Sequence, residues 1–225
     1  MSRAGGSDST ATMQVLISRL HWPVTALGPG RRIGIWFQGC SIGCPGCCSR
    51  DTWDADPTHA VPLATVVDWV RAKPLDEVEG FTISGGEPFE QPVALRALLR
   101  ALRALPAGPV ARDILVYSGQ PWQRLQRQHS NVLTLADVII SEPFVQSQPD
   151  RELMGSGNQR LHRLTPLGHE RYPETVASAG ARALQLHFDG QAVWMIGIPQ
   201  RGSLKEMSRR LASAGVVLAD CSWVA

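Results

Sequence analysis

Short apolar strands alternate with helices through the middle of the chain. Strands are predicted at 13–17, 33–37, 80–84, 114–117, 136–141 and 159–164, and helices at 61–72, 92–105 and 121–129. The clearest helix, PVALRALLRALRAL at 92–105, carries leucines on one face and arginines on the other. Strands that alternate with helices form parallel sheets with right-handed crossovers. The sequence therefore predicts the α/β class.

The chain of 225 residues is long enough for one domain with an extension. Residues 1–12 are small and polar and are predicted to be a disordered tail, and residues 13–165 are predicted to form the core. Residues 166–225 are predicted to be an extension packed on that core. It would contain a hairpin around Asp189-Gly190, a helix that a capping box of Ser203 and Glu206 begins and Gly215 ends, and a candidate strand at 216–218.

The composition excludes several classes of protein. Charged residues make up 19% of the chain and hydrophobic residues 44%, which is unlike a disordered or fibrous chain. No apolar run reaches the roughly 18 residues that span a bilayer, and the first residues lack the apolar core of a signal peptide, so we expect a cytoplasmic protein with no membrane partner. The arginines are scattered among acidic residues, which argues against a nucleic-acid partner.

Three loops follow predicted strands and carry the polar and sulfur-containing residues. Cysteines follow strand 33–37, Gly85-Gly86-Glu87-Pro88 follows strand 80–84, and Ser118-Gly119-Gln120 follows strand 114–117. Ligands of parallel α/β sheets gather at the carboxyl ends of the strands. We therefore expect the three loops to meet on one rim.

Four of the five cysteines lie within nine residues, at positions 40, 44, 47 and 48, and Cys221 stands apart. This clustering in a chain without an export signal predicts a metal or redox centre rather than disulfides. Cys40, Cys44 and Cys47 have the spacing C-x3-C-x2-C in a loop rich in Gly and Pro. A four-iron cluster normally takes four thiolates, so three would leave one iron open to an outside ligand. A zinc site completed by Cys48 or a histidine such as His59 is the alternative; otherwise Cys48 and Cys221 are packing residues.

The cysteine spacing, followed by Gly85-Gly86-Glu87-Pro88 after the next strand, resembles the radical S-adenosylmethionine (SAM) superfamily. Within it the chain most resembles the activating enzymes of glycyl radical enzymes and of anaerobic ribonucleotide reductase. The supporting stretches are Gly28-Pro29-Gly30-Arg31, Cys44-Pro45-Gly46-Cys47, Arg50-Asp51-Thr52-Trp53-Asp54 and Gly155-Ser156-Gly157-Asn158-Gln159-Arg160. The likeness covers about residues 28–164.

This resemblance implies a partial (β/α)6-type barrel with parallel strands, a [4Fe-4S] cluster and S-adenosyl-L-methionine as cofactors. Cys40, Cys44 and Cys47 would be the cluster ligands and the catalytic residues. The other implied residues all bind the cofactor: Gly85, Gly86 and Glu87 at its methionine end, Gly46 and Cys48 at the adenosine through backbone groups, and Ser118 and Asn158 at the ribose or the carboxylate. Trp36 and Trp53 would pack near the adenine or in the core.

Three positions depart from the pattern of the superfamily or of the activases. Leu27 stands where glycyl radical activases usually have Asp, and Ser141-Glu142-Pro143-Phe144 stands where a reductase activase is expected to have Asp-Gly-Pro-Phe. Gly46 replaces the aromatic residue common in the superfamily, as it does in the reductase-type activases. These departures leave the cluster and cofactor residues intact and concern the identity of the partner.

The predicted function is that of a radical SAM oxidoreductase of the activating-enzyme type. It would cleave SAM reductively to a 5′-deoxyadenosyl radical and abstract hydrogen from a glycine of a partner protein. A low-potential flavodoxin or ferredoxin would supply the electron. Two alternatives stay open: radical modification of a ribosomal peptide or small molecule, and an iron–sulfur electron-transfer or sensing protein that does not cleave the cofactor.

Overall fold

The computed structural model describes residues 12–174, 184–188 and 192–216 of the chain. Within these ranges it has nine strands, which are β1 Gln14–Val24, β2 Arg32–Phe37, β3 Ala60–Pro62, β4 Gly80–Gly85, β5 Asp113–Tyr117, β6 Val138–Ser141, β7 Arg160–Arg163, β8 Gln185–Phe188 and β9 Val193–Ile196. Its α-helices are α1 Leu63–Arg71, α2 Pro92–Arg103, α3 Trp122–Gln128, α4 Ser130–Leu133, α5 Pro166–Arg171 and α6 Ser203–Ser213. No helix in the described ranges is long and apolar enough to cross a bilayer.

The first seven strands form one sheet in the order β3-β1-β2-β4-β5-β6-β7. Strands β2, β4, β5 and β6 are parallel, as predicted for the centre of the sheet. The α/β class is thus confirmed. In the described residues β3 and β7 are the edge strands of this sheet. The partial barrel stays a prediction.

The prediction that all the strands are parallel was wrong at both edges. Strand β1 runs antiparallel to β2 and to β3, and β7 runs antiparallel to β6. The reason is the length and content of the connections, because a parallel crossover needs a dozen or more residues and usually a helix. Only residues 25–31 join β1 to β2, and residues 142–159 between β6 and β7 contain no helix.

Some smaller elements differ from the sequence prediction. Residues 60–62 pair with β1 as a short strand, so that α1 begins at Leu63 and Pro62 is its N-cap. Helices α4 and α5 were not predicted. Each has six residues or fewer, too short to show a helical period.

The extension contains the predicted antiparallel pair, β8 with β9, although the turn Asp189-Gly190 lies outside the described residues. Residues 1–11, 217–218 and Cys221 also lie outside them. Gly215 ends α6 as predicted, with a φ of 79°. The domain boundaries stay predictions.

The capping box predicted for α6 was wrong. The helix begins one residue earlier, with Gly202 as its N-cap in a left-handed conformation. The Ser203 hydroxyl donates to the Gln200 carbonyl, and the Glu206 carboxylate pairs with Arg209 and Arg210. Neither side chain is therefore free to cap the backbone.

The sheet has a buried core on each face. The helices cover one face, where the side chains of β2, β4 and β5 pack against α1 and α2. On the opposite face Trp36 packs with Val24, Leu27 and Ile196 from β9. The described part of the extension thus reaches the face of the sheet that the helices leave open.

A buried ion pair fixes the beginning of three parallel strands. Arg32 and Asp113 flank Gly80 in the register of β2, β4 and β5, and both charged side chains are 0% exposed. Arg32 donates to Asp113 Oδ1 at 2.9 Å and to Oδ2 at 2.7 Å. A Cβ at Gly80 would overlap the guanidinium, so the glycine leaves the space in which the two side chains meet.

We predict that Asp113→Asn lowers the free energy of unfolding by about 3 kcal/mol, because it leaves a buried guanidinium without its counter-charge. Urea unfolding of the purified protein measures this. Asp68→Asn is the matched control, since it removes the same charge from an exposed pair with Arg71 and should change stability little. Equal stabilities of the two variants would contradict the structural role of the buried pair.

Candidate functional site

The cysteine loop leaves β2 and closes on itself by backbone hydrogen bonds. Gly39 N donates to Thr52 O and Cys40 N to Trp53 O, both at 2.8 Å. The buried Gln38 side chain donates to the carbonyls of Asp51 and Asp54 across the base of the loop. These bonds hold the segment that carries the thiols at the carboxyl end of β2.

The structure shows no disulfide among the four cysteines of this loop, and all four are half-buried. Burial raises the pKa of Cys40 and of Cys44, although backbone N–H groups of Ile42 and Gly43 face the first and that of Phe144 faces the second. Burial, with a smaller contribution from the neighbouring Cys47, raises the pKa of Cys48 to about 11. The neutral thiol is therefore favoured at these positions, and metal binding would have to release protons.

The negative charge of Glu87 contributes to the raised pKa of both Cys40 and Cys44, and Cys47 contributes to the raised pKa of Cys44. In the described ranges no group of three His, Cys, Asp or Glu side chains is arranged to hold a single metal ion. His59, the possible zinc ligand, lies with Nδ1 3.6 Å from Asp56 Oδ2.

Glu87 is the most buried acid of the rim, with 0% of the residue exposed. Its carboxylate accepts hydrogen bonds from Phe89 N at 3.0 Å, Ser118 Oγ at 2.9 Å and Gly119 N at 2.7 Å. Burial outweighs these donors and raises the pKa of Glu87 to about 7. No cationic side chain of the described residues forms an ion pair with it, so its charge is balanced only by dipoles.

Gly85 and Gly86 bring the end of β4 against the base of the cysteine loop. Gly85 has a φ of 106°, and a Cβ there would overlap Phe37 backbone atoms; a Cβ at Gly86 would overlap Gly39 O. Gly86 N donates to Phe37 O at 2.8 Å and Glu87 N to Gly39 O at 2.7 Å. These glycines therefore allow the close approach of the two backbone segments, and their contact with the methionine end of the cofactor stays a prediction.

Ser118 lies beside Glu87 at the rim. Its hydroxyl donates to the Glu87 carboxylate and accepts from Gln120 N at 3.0 Å. The three loops that follow β2, β4 and β5 therefore meet as predicted. In this arrangement the Ser118 hydroxyl is a hydrogen-bond donor to the Glu87 carboxylate.

Gly46 and Asn158 face the segment after β6. Gly46 has a φ of 79°, and a Cβ there would crowd the Gln146 side chain. The Asn158 amide donates to Pro143 O at 2.8 Å, which leaves its own Oδ1 buried without a partner among the described residues.

Gln120 is a residue of the rim that the sequence analysis did not name as a site residue. It is 5% exposed, and its Oε1 is a second buried amide oxygen without a partner in the described part of the chain. Its place in the loop after β5 was the only signal in the sequence. Buried acceptors of this kind suit hydroxyl or amino groups of a ligand.

The two tryptophans have different surroundings. Trp36 is 9% exposed in the core cluster with Val24 and Leu27, which favours a packing role. Trp53 is half-buried beside the loop, with the Arg50 guanidinium 5.2 Å from its ring centre. Leu27, the position of the expected Asp, is buried in the same core cluster as Trp36.

An open cleft of about 540 Å³ lies beside the cysteine loop. Pro45 lines it on one side and residues 144–147 line it on the other. The same segment supplies the Phe144 N–H that faces the Cys44 sulfur. The cleft therefore opens to solvent beside Pro45, which directly follows Cys44 in the cysteine loop.

Comparison with known proteins agrees with this geometry. Residues 26–162 match the 4Fe-4S single cluster domain. An anaerobic ribonucleoside-triphosphate reductase-activating protein of Vibrio cholerae is 29% identical over 151 residues, which are 64% of this chain and 96% of the relative. The protein of the same description from Haemophilus influenzae is 30% identical over 64% of this chain and 95% of its own, and that of Enterobacteria phage T4 is 28% identical over 60% and 85%.

The matched region contains every residue that the sequence analysis assigned to the site, from Cys40 to Asn158. The extension after residue 165 lies outside the family match. The chain therefore belongs to the family of 4Fe-4S single cluster domain proteins, as an iron–sulfur protein related to the activating proteins of anaerobic ribonucleoside-triphosphate reductase.

Proposed function

We propose that this protein is a radical SAM enzyme of the activating-enzyme type, which abstracts a hydrogen atom from a glycine of a partner protein. The observation that carries the proposal is the buried carboxyl of Glu87: this residue is bonded through its backbone N–H to Gly39 O at the base of the cysteine loop, and no cation is paired with its carboxyl among the described residues. A structural iron–sulfur site has no need of such a group. A ligand with an ammonium group would supply the missing positive charge.

The residues at the rim fit the two cofactors. Cys40, Cys44 and Cys47 supply three thiols and would hold a [4Fe-4S] cluster with one iron left for SAM. When bound, the reduced cluster supplies the electron that cleaves SAM to a 5′-deoxyadenosyl radical. Cys48 directly follows the ligand Cys47, and adjacent cysteines do not easily bind one centre, so Cys48 would contribute its backbone rather than its sulfur.

The chain's own groups would bind and orient SAM. Glu87 would accept from the ammonium group, while Ser118 and Gly119 hold the carboxylate in place. Gly85 and Gly86 allow the backbone of Glu87 to lie close to the base of the cysteine loop, where Glu87 N donates to Gly39 O. Asn158 has a buried oxygen free to accept from a ribose hydroxyl, and the backbone of Gly46 and Cys48 would face the adenosine.

The proposed partner is a protein, by analogy with the reductase that the relatives are named as activating. The open cleft between Pro45 and residues 144–147 favours a macromolecular segment over an enclosed small molecule. A partial barrel with an open side would have the same consequence. A flavodoxin or ferredoxin of low potential would reduce the cluster.

One observation favours a peptide or small-molecule substrate as the second candidate. Ile196 of the extension is 3% exposed and packs with Trp36 on the sheet face that the helices leave uncovered. An extension that covers this face would narrow access to the site. The glycyl radical test below separates the two candidates.

We predict that Cys44→Ala loses the cluster and releases no 5′-deoxyadenosine from SAM with dithionite under anaerobic conditions, because one of the three iron ligands is gone. Cys48→Ala is the matched control, and it should keep most of its iron and activity since only its backbone is assigned a role. Iron analysis, absorbance and product release measure the outcome. Full activity of the Cys44 variant would contradict the ligand assignment.

We predict a glycyl radical on the anaerobic ribonucleotide reductase encoded by the same genome when it is mixed with this protein, SAM and a reductant. Electron paramagnetic resonance detects the radical through its coupling to the remaining Cα hydrogen. Release of 5′-deoxyadenosine without that signal would favour the peptide or small-molecule candidate. No release at all would contradict radical SAM chemistry.

The raised pKa of Glu87 predicts a pH-dependent stability. Since this acid has a pKa of about 7 when folded and an ordinary value of 4.5, the unfolded state loses the proton first as pH rises. Glu87 should therefore lower the free energy of unfolding by up to about 3 kcal/mol between pH 4.5 and 7, with no further change above that.

Urea unfolding of the iron-free, reduced protein tests this with Glu87→Gln. The free energy of unfolding of the variant relative to the wild type should rise from pH 5 to pH 7 and then level off. The amide nitrogen cannot accept from Gly119 N, but that cost is the same at every pH. A difference that does not vary with pH would contradict the raised pKa.

A further inference from the structure

Glu142 has an unfavourable backbone conformation at the end of β6. Its φ is 80°, in the left-handed region that favours glycine. It is one of two such non-glycine residues in the described ranges, with Leu153. The expected pattern at this turn has Gly, which would adopt this conformation without strain. A glutamate kept in such a conformation points to a use for its side chain.

The side chain of Glu142 holds the beginning of α3. Its Oε1 accepts from Trp122 N at 2.9 Å. Trp122 is the first residue of that helix, and the N–H groups of a first turn have no partner within the helix. Pro121 has no N–H. The N–H of Trp122 is therefore the first backbone donor after that of Gln120, and Glu142 accepts from it.

The backbone of Glu142 contacts two further segments. Its N–H donates to Gln120 O at 3.1 Å, and its carbonyl accepts from Gln159 Nε2 at 3.2 Å. The Gln159 Oε1 in turn accepts from Gly155 N at 2.8 Å. Glu142 therefore joins the loop after β5, the turn after β6 and the loop before β7.

The loop after β5 is the one that holds Glu87. Ser118 and Gly119 donate to its carboxylate, and Ser118 N donates to Ile140 O at 2.8 Å. This backbone bond anchors the loop at its first end. At the second end, the Glu142 backbone N–H binds Gln120 O and its carboxylate binds Trp122 N, so removal of the side chain would leave this end held by the backbone bond alone.

We propose that Glu142 is a positioning residue for SAM: its carboxylate fixes the loop of Ser118 and Gly119, and through that loop it fixes the Glu87 carboxyl. The inference rests on the proposed function. A strained backbone at Glu142 is the cost of presenting a charged acceptor at this turn. The Trp122 ring is held separately by stacking on His162 at 3.8 Å, so the carboxylate acts on the amide of Trp122 and not on its ring.

The test compares Glu142→Gly, Glu142→Ala and Glu142→Gln in the protein with its cluster reconstituted. Glycine removes both the strain and the acceptor, alanine removes only the acceptor, and glutamine keeps an acceptor oxygen. Hydrogen exchange at the Trp122 amide should be about tenfold faster or more in the glycine and alanine variants, given the usual strength of hydrogen bonds to charged groups. The glutamine variant should stay closer to the wild type.

Calorimetry of SAM binding without reductant provides the second readout. We expect the dissociation constant to rise about tenfold for the glycine and alanine variants and less for the glutamine variant. The glycine variant should have the higher Tm of the first two because it relieves the strain. If Glu142 only stabilised the fold, SAM affinity would follow Tm, and the less stable alanine variant would bind SAM more weakly than the glycine variant.

Two results would overturn the inference: unchanged exchange at Trp122 in the glycine and alanine variants, or faster exchange with wild-type affinity for SAM. Failure of the proposed function looks different. In that case the reconstituted wild-type protein itself does not bind SAM, while exchange at Trp122 still reports whether Glu142 holds the loop.

Discussion

The alignment of the parallel strands depends on the buried ion pair of Arg32 and Asp113. The two side chains meet over Gly80, so they fix β2, β4 and β5 in register where these strands begin. Because strands of equal register end together, the three loops that follow them come to one rim. A shift of one residue would turn every side chain of a strand to the other face of the sheet and separate these loops.

At the opposite end of the same strands the chain buries a carboxyl group without a cation paired to it in the described part. Glu87 accepts from Ser118 and Gly119 on the next loop and reaches the end of β2 through its backbone. Burial of this charge thus lowers the stability of the protein, since no cationic side chain of the described residues neutralises it. Such a group is typical of a binding site, because a cationic ligand would offset the free energy that burial of the unpaired carboxyl costs.

Much of this site could be predicted from the sequence. The spacing of Cys40, Cys44 and Cys47 predicted an iron–sulfur protein, which the family match supports, and the positions of these cysteines and of the Gly-Gly-Glu after strands predicted that their loops meet on one rim. The role of Ser118 as a partner of Glu87 could not be predicted, since it depends on a hydrogen bond between residues 31 positions apart. Nor could the left-handed Glu142, because local preferences favour glycine at such a turn.

The sequence by itself determined the order of strands and helices and the residue types at the carboxyl ends of the strands, because hydrophobic period and ligand spacing are local properties of the chain. Only the tertiary structure decided that β1 and β7 run antiparallel, that Gly85 and Gly86 make room for the chain's own backbone, and that Glu142 joins three loops. These features depend on which distant segments lie side by side. Which segments become neighbours follows from the burial of both faces of the sheet. The sequence pattern of a single segment does not predict it.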